Sequence, residues 1–353
     1  MGRRGFLLIN LGTPDAASVP AVRRHLKEFL SDPRVLDINP FLRTLLLYGV
    51  ILPWRPKQSA RAYASIWTER GSPLLFHGSD LVGKLATALG EQWQVELAMR
   101  YQHPSIASAL ARFREAAIDQ IVVFPLFPQY SSAAWGSAVE KLFTEAAKSW
   151  NVPALQVVSP YYDHPAFIEA FAAVARPVLS SLDPQKVFIS YHGLPERQVV
   201  KGDESGGTHC LRNADCCETM IVANRNCYRA QCFATSRALA QRLGLPADSW
   251  ETTFQSRFGR TPWIQPYTDK RIRDLARSGI RRVAVLCPAF TADCLETLEE
   301  IGIRARQDFI VQGGEELRLV PSLNSEDAWV QAIIEITSKQ LGGETLAAPA
   351  NVA

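Results

Sequence analysis

The stretch 186–196, KVFISYHGLPE, decides the fold. It enters an apolar run at Val187 and stops at His192-Gly193, with Pro195 just beyond. A run this short that ends in Gly and Pro reads as a buried strand handing over to a helix. The same design opens the chain at 5–15, GFLLINLGTPD, about 180 residues earlier. A second pair follows the same plan: 118–146, IDQIVVFPLFPQYSSAAWGSAVEKLFTEA, and 280–302, IRRVAVLCPAFTADCLETLEEIG. Each runs strand, Pro and Phe, polar loop, amphipathic helix.

The doubled pattern predicts two similar α/β halves. Continuous runs such as IVVFPLF and RVAVLCP suit parallel strands covered on both faces. Helical patterns such as SIASALARFREAA and AFIEAFAAVARPVL separate them, so each half is a doubly wound, Rossmann-like parallel sheet. The boundaries expected are 1–155 and 156–322, then a C-terminal helix at 323–342 and a frayed tail at 343–353. In such folds ligands bind beyond the carboxyl ends of strands.

Composition narrows the class. The chain has 353 residues, 21% of them charged, with a net charge of +3. These are globular values, and no Lys/Arg run resembles a nucleic-acid arm, so no nucleic-acid partner is expected. No phosphate loop or G-x-G-x-x-G is present, which leaves nucleotide binding without a motif. No segment offers about 18 uninterrupted apolar residues, so no membrane span is expected. A cytoplasmic, reducing location is the default, and structural disulfides are not expected there.

Four segments carry candidate chemistry. His192 lies just past a strand, at the rim of a cleft, where a histidine titrates near neutrality; a helix-entry histidine held by a carbonyl is the plainer alternative. Asp293, Glu296 and Glu300 line one helical face, either as dipole-favoured solvated carboxylates or as a cation or proton path. Arg100 and Tyr101, with His103 nearby, suit a carboxylate-bearing or aromatic ligand, or merely a turn. The loop 252–269 sets Gln255, Ser256, Arg257, Trp263 and Tyr267 among Gly and Pro and is richer than a connection requires. Residues 41–54, with Arg55 and Lys57 at the edge, read as a buried helix or as an exposed lip over a greasy ligand or bilayer.

Taken together these segments resemble the ferrochelatases. The likeness rests on LLINLGTPD (7–15), FLSDPRVLD (29–37), GSPL (71–74), MRYQHP (99–104), FPQYS (127–131), YHGLPER (191–197), TFQSRFGRTPW (253–263), PYTD (266–269) and CPAFTADCLETLEEI (287–301). It implies two four-stranded parallel sheets with flanking helices enclosing a porphyrin cleft. It also implies a lyase that inserts ferrous iron into protoporphyrin IX, the terminal step of haem synthesis, with release of two protons. A non-catalytic haem or porphyrin binder on the same fold, and coproporphyrin III as substrate, are the alternatives. His192 matches the family's active-site histidine, Glu296 its functional glutamate, and Asp293 and Glu300 the acidic path. Arg100 and Tyr101 match the pair placed opposite that histidine across the macrocycle. Ser72, Ser256 and Lys57 match positions associated with the propionates, and 41–54 becomes the lip, with peripheral contact at the inner membrane face. The loop NLGTPDA lacks the tyrosine of the coproporphyrin-using branch, which favours protoporphyrin IX. Cys294 stands where some relatives have histidine.

Five of the seven cysteines crowd into 209–232, HCLRNADCCETMIVANRNCYRAQC. The spacing C-x5-C-C-x9-C-x4-C has none of the paired knuckles of structural zinc sites. Iron–sulfur clusters tolerate irregular spacing. The region, about 205–230, reads as an insertion relative to typical ferrochelatases. Some members of that family carry a [2Fe–2S] cluster, mainly on a carboxyl-terminal extension, and this chain has no cysteine beyond Cys294. The expectation is an internal set of Cys210, Cys217, Cys227 and Cys232, with Cys216 as alternate. Zinc and labile thiols are the competing readings.

Overall fold

The computed structural model describes residues 2–259, 261–342 and 346. Strands β1 (Arg4–Gly12), β2 (Trp93–Tyr101), β3 (Gln120–Pro125) and β4 (Ala154–Val157) form one sheet in the order β2-β1-β3-β4. Strands β5 (Lys186–His192), β6 (Trp250–Gln255), β7 (Arg282–Leu286) and β8 (Glu316–Leu319) form a second in the order β6-β5-β7-β8. Every pairing is parallel. The internal repeat read in the sequence is thus a repeat of topology. In each sheet the central strand is a quoted apolar run, and Phe6–Ile9 and Val187–Ile189 are wholly buried.

The chain divides into two compact units. The first comprises Met1–Phe127, Ser132–Pro160 and Asn324–Ala353. One face of its sheet buries Leu7, Ile9, Ile121 and Val123 against Ile106, Phe113 and Leu142 of the helices that follow β2 and β3. The helix Asp327–Gln340 returns to this unit, where Trp329 meets Phe124 edge-on and Lys84 pairs with Asp327. The tail 343–353 lies outside the described residues except for Leu346. Gly12 ends β1 with φ +122°, and a Cβ there would lie 2.1 Å from the Tyr101 carbonyl oxygen, so only glycine lets β1 and β2 close at this end.

The lip is a helix, Pro40–Leu46, a π-helical turn, Leu47–Ile51, and a helix, Leu52–Ile66. Asn39 caps the first helix by accepting from the Phe41 N–H at 2.9 Å. Leu47, Ile51 and Leu52 turn inward onto Leu26, Leu30 and Leu36. Phe41 and Trp54 point outward, 74% and 76% exposed, with Leu42, Leu45, Tyr48 and Val50. One segment therefore supplies both an anchored face and an open apolar face.

The second unit comprises Pro128–Ser131 and Tyr161–Leu323. Phe188, Val283, Val285 and Leu317 of its sheet pack with Ile272, Ile301 and Phe309. Its helix Pro165–Leu182 is long and apolar enough to cross a membrane by length and composition, although Glu169 and Arg176 interrupt it. Phe167, Ile168, Phe171 and Ala175 of that helix are buried within the fold, as in a core helix.

Candidate active site

His192 is the last residue of β5 and pairs in register with Gln255, the last of β6. Its Nδ1 lies 2.6 Å from the Gly193 carbonyl oxygen. A carbonyl only accepts, so Nδ1 carries the hydrogen and, in the neutral ring, Nε2 keeps its lone pair. The Trp263 ring stands 6.3 Å from the imidazole. The Gly193 N–H donates to the Gln255 carbonyl at 2.8 Å, and a Cβ on Gly193 would meet that oxygen at 3.0 Å. Glycine is what lets the His192 turn lie this close to β6.

The acidic segment follows β7. The sequence reads it as an ordinary amphipathic helix; it is a ten-residue π-helix, Glu296–Ala305. Such helices usually occur as single turns at functional sites. Glu296 and Glu300 both lie on this helix, whereas Asp293 lies ahead of it. Asp293 is buried and accepts from Thr297 Oγ1 at 3.0 Å and from the Ser322 N–H at 3.3 Å. Glu300 takes the Ser256 N–H at 2.9 Å and also the Ser256 hydroxyl. The Glu296 carbonyl receives Gln255 Nε2 at 2.8 Å. Burial pushes the Cys294 thiol well up, helped by the charge of the Glu296 carboxylate to which it is hydrogen-bonded. Cys294 is therefore a neutral neighbour of Glu296 rather than a thiolate. Cys287, just past β7, is likewise raised by burial, with Asp293 and Glu300 adding to it.

In the first unit Arg100 and Tyr101 are tied to Asp32. Arg100 donates to Asp32 at 2.6 Å and to Ser137 Oγ at 2.7 Å, and its guanidinium lies 4.4 Å from the Tyr101 ring centroid. The Tyr101 hydroxyl donates to Asp32 at 2.8 Å, and the Ser137 hydroxyl at 2.5 Å. Tyr101 is wholly buried. Burial alone would raise the Asp32 carboxyl, but bonds from Ser137, the Arg34 N–H and Tyr101, with the charge of Arg100, outweigh it and hold it below the usual range. Ser72 is buried too and shares a 2.8 Å hydrogen bond with Thr13. Lys57 is exposed on the outer helix of the lip.

The five clustered cysteines are all buried free thiols. Cys216 and Cys217 lie 3.7 Å apart at sulfur, and Cys210 and Cys217 each hydrogen-bond with Cys227. Cys232 bonds instead with Tyr228 and interacts electrostatically with Cys217. The contacts thus bring the alternate, Cys216, directly into the group. Arg229 donates to Cys217 at 3.1 Å and approaches Cys216 at 3.9 Å. Asp203 holds the loop by accepting from the N–H groups of Ser205, His209 and Cys210. Among the described residues no group of three or more His, Cys, Asp or Glu side chains is arranged to hold a metal ion.

Asp32, Ser137, Asp203 and Arg229 were not singled out in the sequence. Asp32 had a signal, an acid before proline at a helix end inside FLSDPRVLD. Ser137 and Arg229 had none, because their roles arise from partners distant in the chain.

A parallel α/β repeat with an imidazole and an acidic π-helix at its strand ends defines the chelatase class. The family model described as ferrochelatase matches residues 3–341. A ferrochelatase of Legionella pneumophila (strain Corby) is 46% identical over 340 residues, covering 96% of this chain and 100% of that one. One of Coxiella burnetii (strain Dugway 5J108-111) is 45% identical over 338 residues, covering 96% and 94%. Among solved structures, SirB from Bacillus subtilis with Fe3+ shares the fold at TM-score 0.50 and 11% identity, covering 96% of this chain and 98% of that one. The chain belongs to the ferrochelatase family and is an enzyme that inserts metal into a porphyrin for haem synthesis.

Proposed function

We propose that the porphyrin is protoporphyrin IX, and that His192 and Glu296 handle the protons and the ferrous iron, with Asp293 and Glu300 behind them. The observation that carries this is the His192 hydrogen bond. With Nδ1–H committed to the Gly193 carbonyl, the Nε2 lone pair is left for a pyrrole proton or for the entering metal. Metallation replaces two N–H protons by one Fe²⁺, so two acceptors are needed, and the Glu296 carboxylate supplies the second. Imidazole and carboxylate oxygen hold ferrous iron loosely enough to release it to the ring, whereas a thiolate at Cys294 would retain it. Burial keeps that thiol protonated.

Arg100 and Tyr101 serve the substrate by position, since both are committed to Asp32. Lys57, exposed beside the lip, suits a propionate. Ser72 and Ser256 are weaker candidates for that role, being engaged with Thr13 and Glu300. The NLGTPDA loop and the apolar lip both favour protoporphyrin IX over the more carboxylated coproporphyrin III. Anaerobic assays with both porphyrins and ferrous iron test the reading. Metallation is expected to favour protoporphyrin IX, and His192→Ala and Glu296→Gln are expected to lower kcat by about 10²–10⁴-fold. Faster metallation of coproporphyrin III than of protoporphyrin IX, or unchanged kcat in both variants, would overturn the reading.

The clustered thiols suit a [2Fe–2S] centre. Their contacts run from Cys216 to Cys217, from Cys217 to Cys227 and from Cys227 to Cys210, which joins four thiols, the number such a cluster takes. When bound, such a centre supplies a redox-sensitive cross-link within the insertion. The seven free thiols fit a reducing cytoplasm, and the exposed lip fits peripheral attachment at the membrane face.

A further inference from the structure

We infer that Gln255 and Ser256 act as a two-point clamp that sets the register of the acidic π-helix against His192. The inference rests on the proposed roles of His192 and Glu296. The two residues end β6 and lie between the histidine turn and the acidic segment. On one side the Gln255 backbone carbonyl accepts from Gly193 at 2.8 Å. On the other its side chain donates through Nε2 to the Glu296 carbonyl at 2.8 Å. The next residue repeats the hold one turn further on, where the Ser256 N–H and hydroxyl both go to the Glu300 carboxylate.

Two features separate this arrangement from ordinary loop packing. Ser256 has φ +65°, a left-handed conformation that non-glycine residues seldom adopt, and its N–H thereby points at Glu300. The Gln255 amide is buried and bonded at both ends, since Oε1 accepts from Ser190 at 2.8 Å while Nε2 donates to Glu296. Each end of a glutamine amide has one polarity, so this side chain reads as a bridge between β5 and the first π-turn. A π-helix bonds its carbonyls one residue further along than an α-helix. An external donor on the first carbonyl fixes where that pattern begins, and with it where the Glu296 carboxylate sits. Both are therefore positioning residues that act through Glu296 and Glu300.

Gln255→Met keeps the length and removes both polar ends; Ser256→Ala removes the hydroxyl near the surface. Misplacement of a reacting group by about 1 Å costs on the order of 100-fold. Each variant is expected to lower kcat about 10- to 100-fold and to raise KM for ferrous iron. The porphyrin affinity of Gln255→Met, read by fluorescence titration, should stay within about twofold of wild type. Ser190→Ala, which leaves the bond to Glu296 intact, should retain kcat within about threefold by the same reasoning. Equal losses in Ser190→Ala and Gln255→Met, or a porphyrin affinity of Gln255→Met that falls in step with its kcat, would mean general packing and overturn the clamp. So would wild-type kcat in Gln255→Met and Ser256→Ala. If Gln255→Met does not fold, Ser256→Ala decides through kcat and the KM for ferrous iron. His192→Ala and Glu296→Gln run alongside, and their retaining activity would remove the underlying assignment, a result distinct from failure of the clamp.

Discussion

The hydroxyl of Tyr101 donates to the Asp32 carboxylate at 2.8 Å, inside the first unit and out of reach of solvent. The same carboxylate oxygen receives Arg100 at 2.6 Å. Asp32 thus organises both residues of the Arg-Tyr pair, and the pair is held before any substrate arrives.

The Arg100–Asp32 pair is buried, with side chains 15% and 4% exposed. Removing one member of such a pair leaves an uncompensated charge and costs about 3–5 kcal/mol. Asp32→Ala is therefore expected to lower the stability of the chain by about that amount, checked by urea unfolding at neutral pH. The folded Asp32 carboxyl titrates below its unfolded value. Its contribution is accordingly complete above the unfolded pKa and is lost as pH falls through the folded one. Wild-type and variant stabilities should converge in acid.

Substitution at the thiols separates the ligand sets. Anaerobically purified wild-type protein is expected to be reddish-brown, with about two irons and two sulfides per chain. Cys216→Ser should lose colour and iron, and Cys232→Ser should keep both, because Cys216 touches Cys217 whereas Cys232 bonds with Tyr228. The opposite pattern would restore Cys232 to the set, and a colourless wild type with one zinc would exclude the cluster.

The lip offers a direct measurement. Phe41 and Trp54 are the most exposed aromatic groups of the segment. Phe41→Ser with Trp54→Ser is expected to reduce co-sedimentation with anionic phospholipid vesicles by about tenfold or more, since two large apolar side chains contribute about 1.5–3 kcal/mol each when buried. Binding that is unchanged would mean the face serves something other than a bilayer.

Much of the fold was legible because strand and turn are local signals. An apolar run that stops at Gly-Thr-Pro or Gly-Leu-Pro marks its own end, and the doubling of the pattern announced two sheets of one topology. The π-helix was not legible. Glu296 to Glu300 has the spacing of an α-helix, and the bonds that the segment receives come from Gln255 and Ser256, some forty residues away. Spacing arguments also set Cys216 aside as the neighbour of Cys217. The loop held by Asp203 and Asn224 brings the two sulfurs together. Arg100 looked like an open ligand for carboxylates because its partner, Asp32, lies 68 residues away in sequence.

His25 supplies a pH dependence independent of the chemistry. It is buried on the helix Val19–Ser31, stacks on Phe29 at 6.1 Å, and its Nδ1 has no hydrogen-bond partner among the described residues. Burial lowers its pKa to about 4, against a partial opposing pull from Asp15. Below its unfolded pKa of 6.5 the unfolded chain takes up a proton that the folded chain refuses, so stability falls as the pH drops from 6.5 towards 4. The slope contributed by one such group approaches about 1.4 kcal/mol per pH unit. His25→Phe, which keeps the aromatic contact with Phe29 and cannot titrate, is expected to flatten the unfolding free energy over that interval while leaving it nearly unchanged at pH 8. Urea titrations at several pH values read this directly, and parallel curves for the two proteins would show that His25 is charged or solvated in the folded chain.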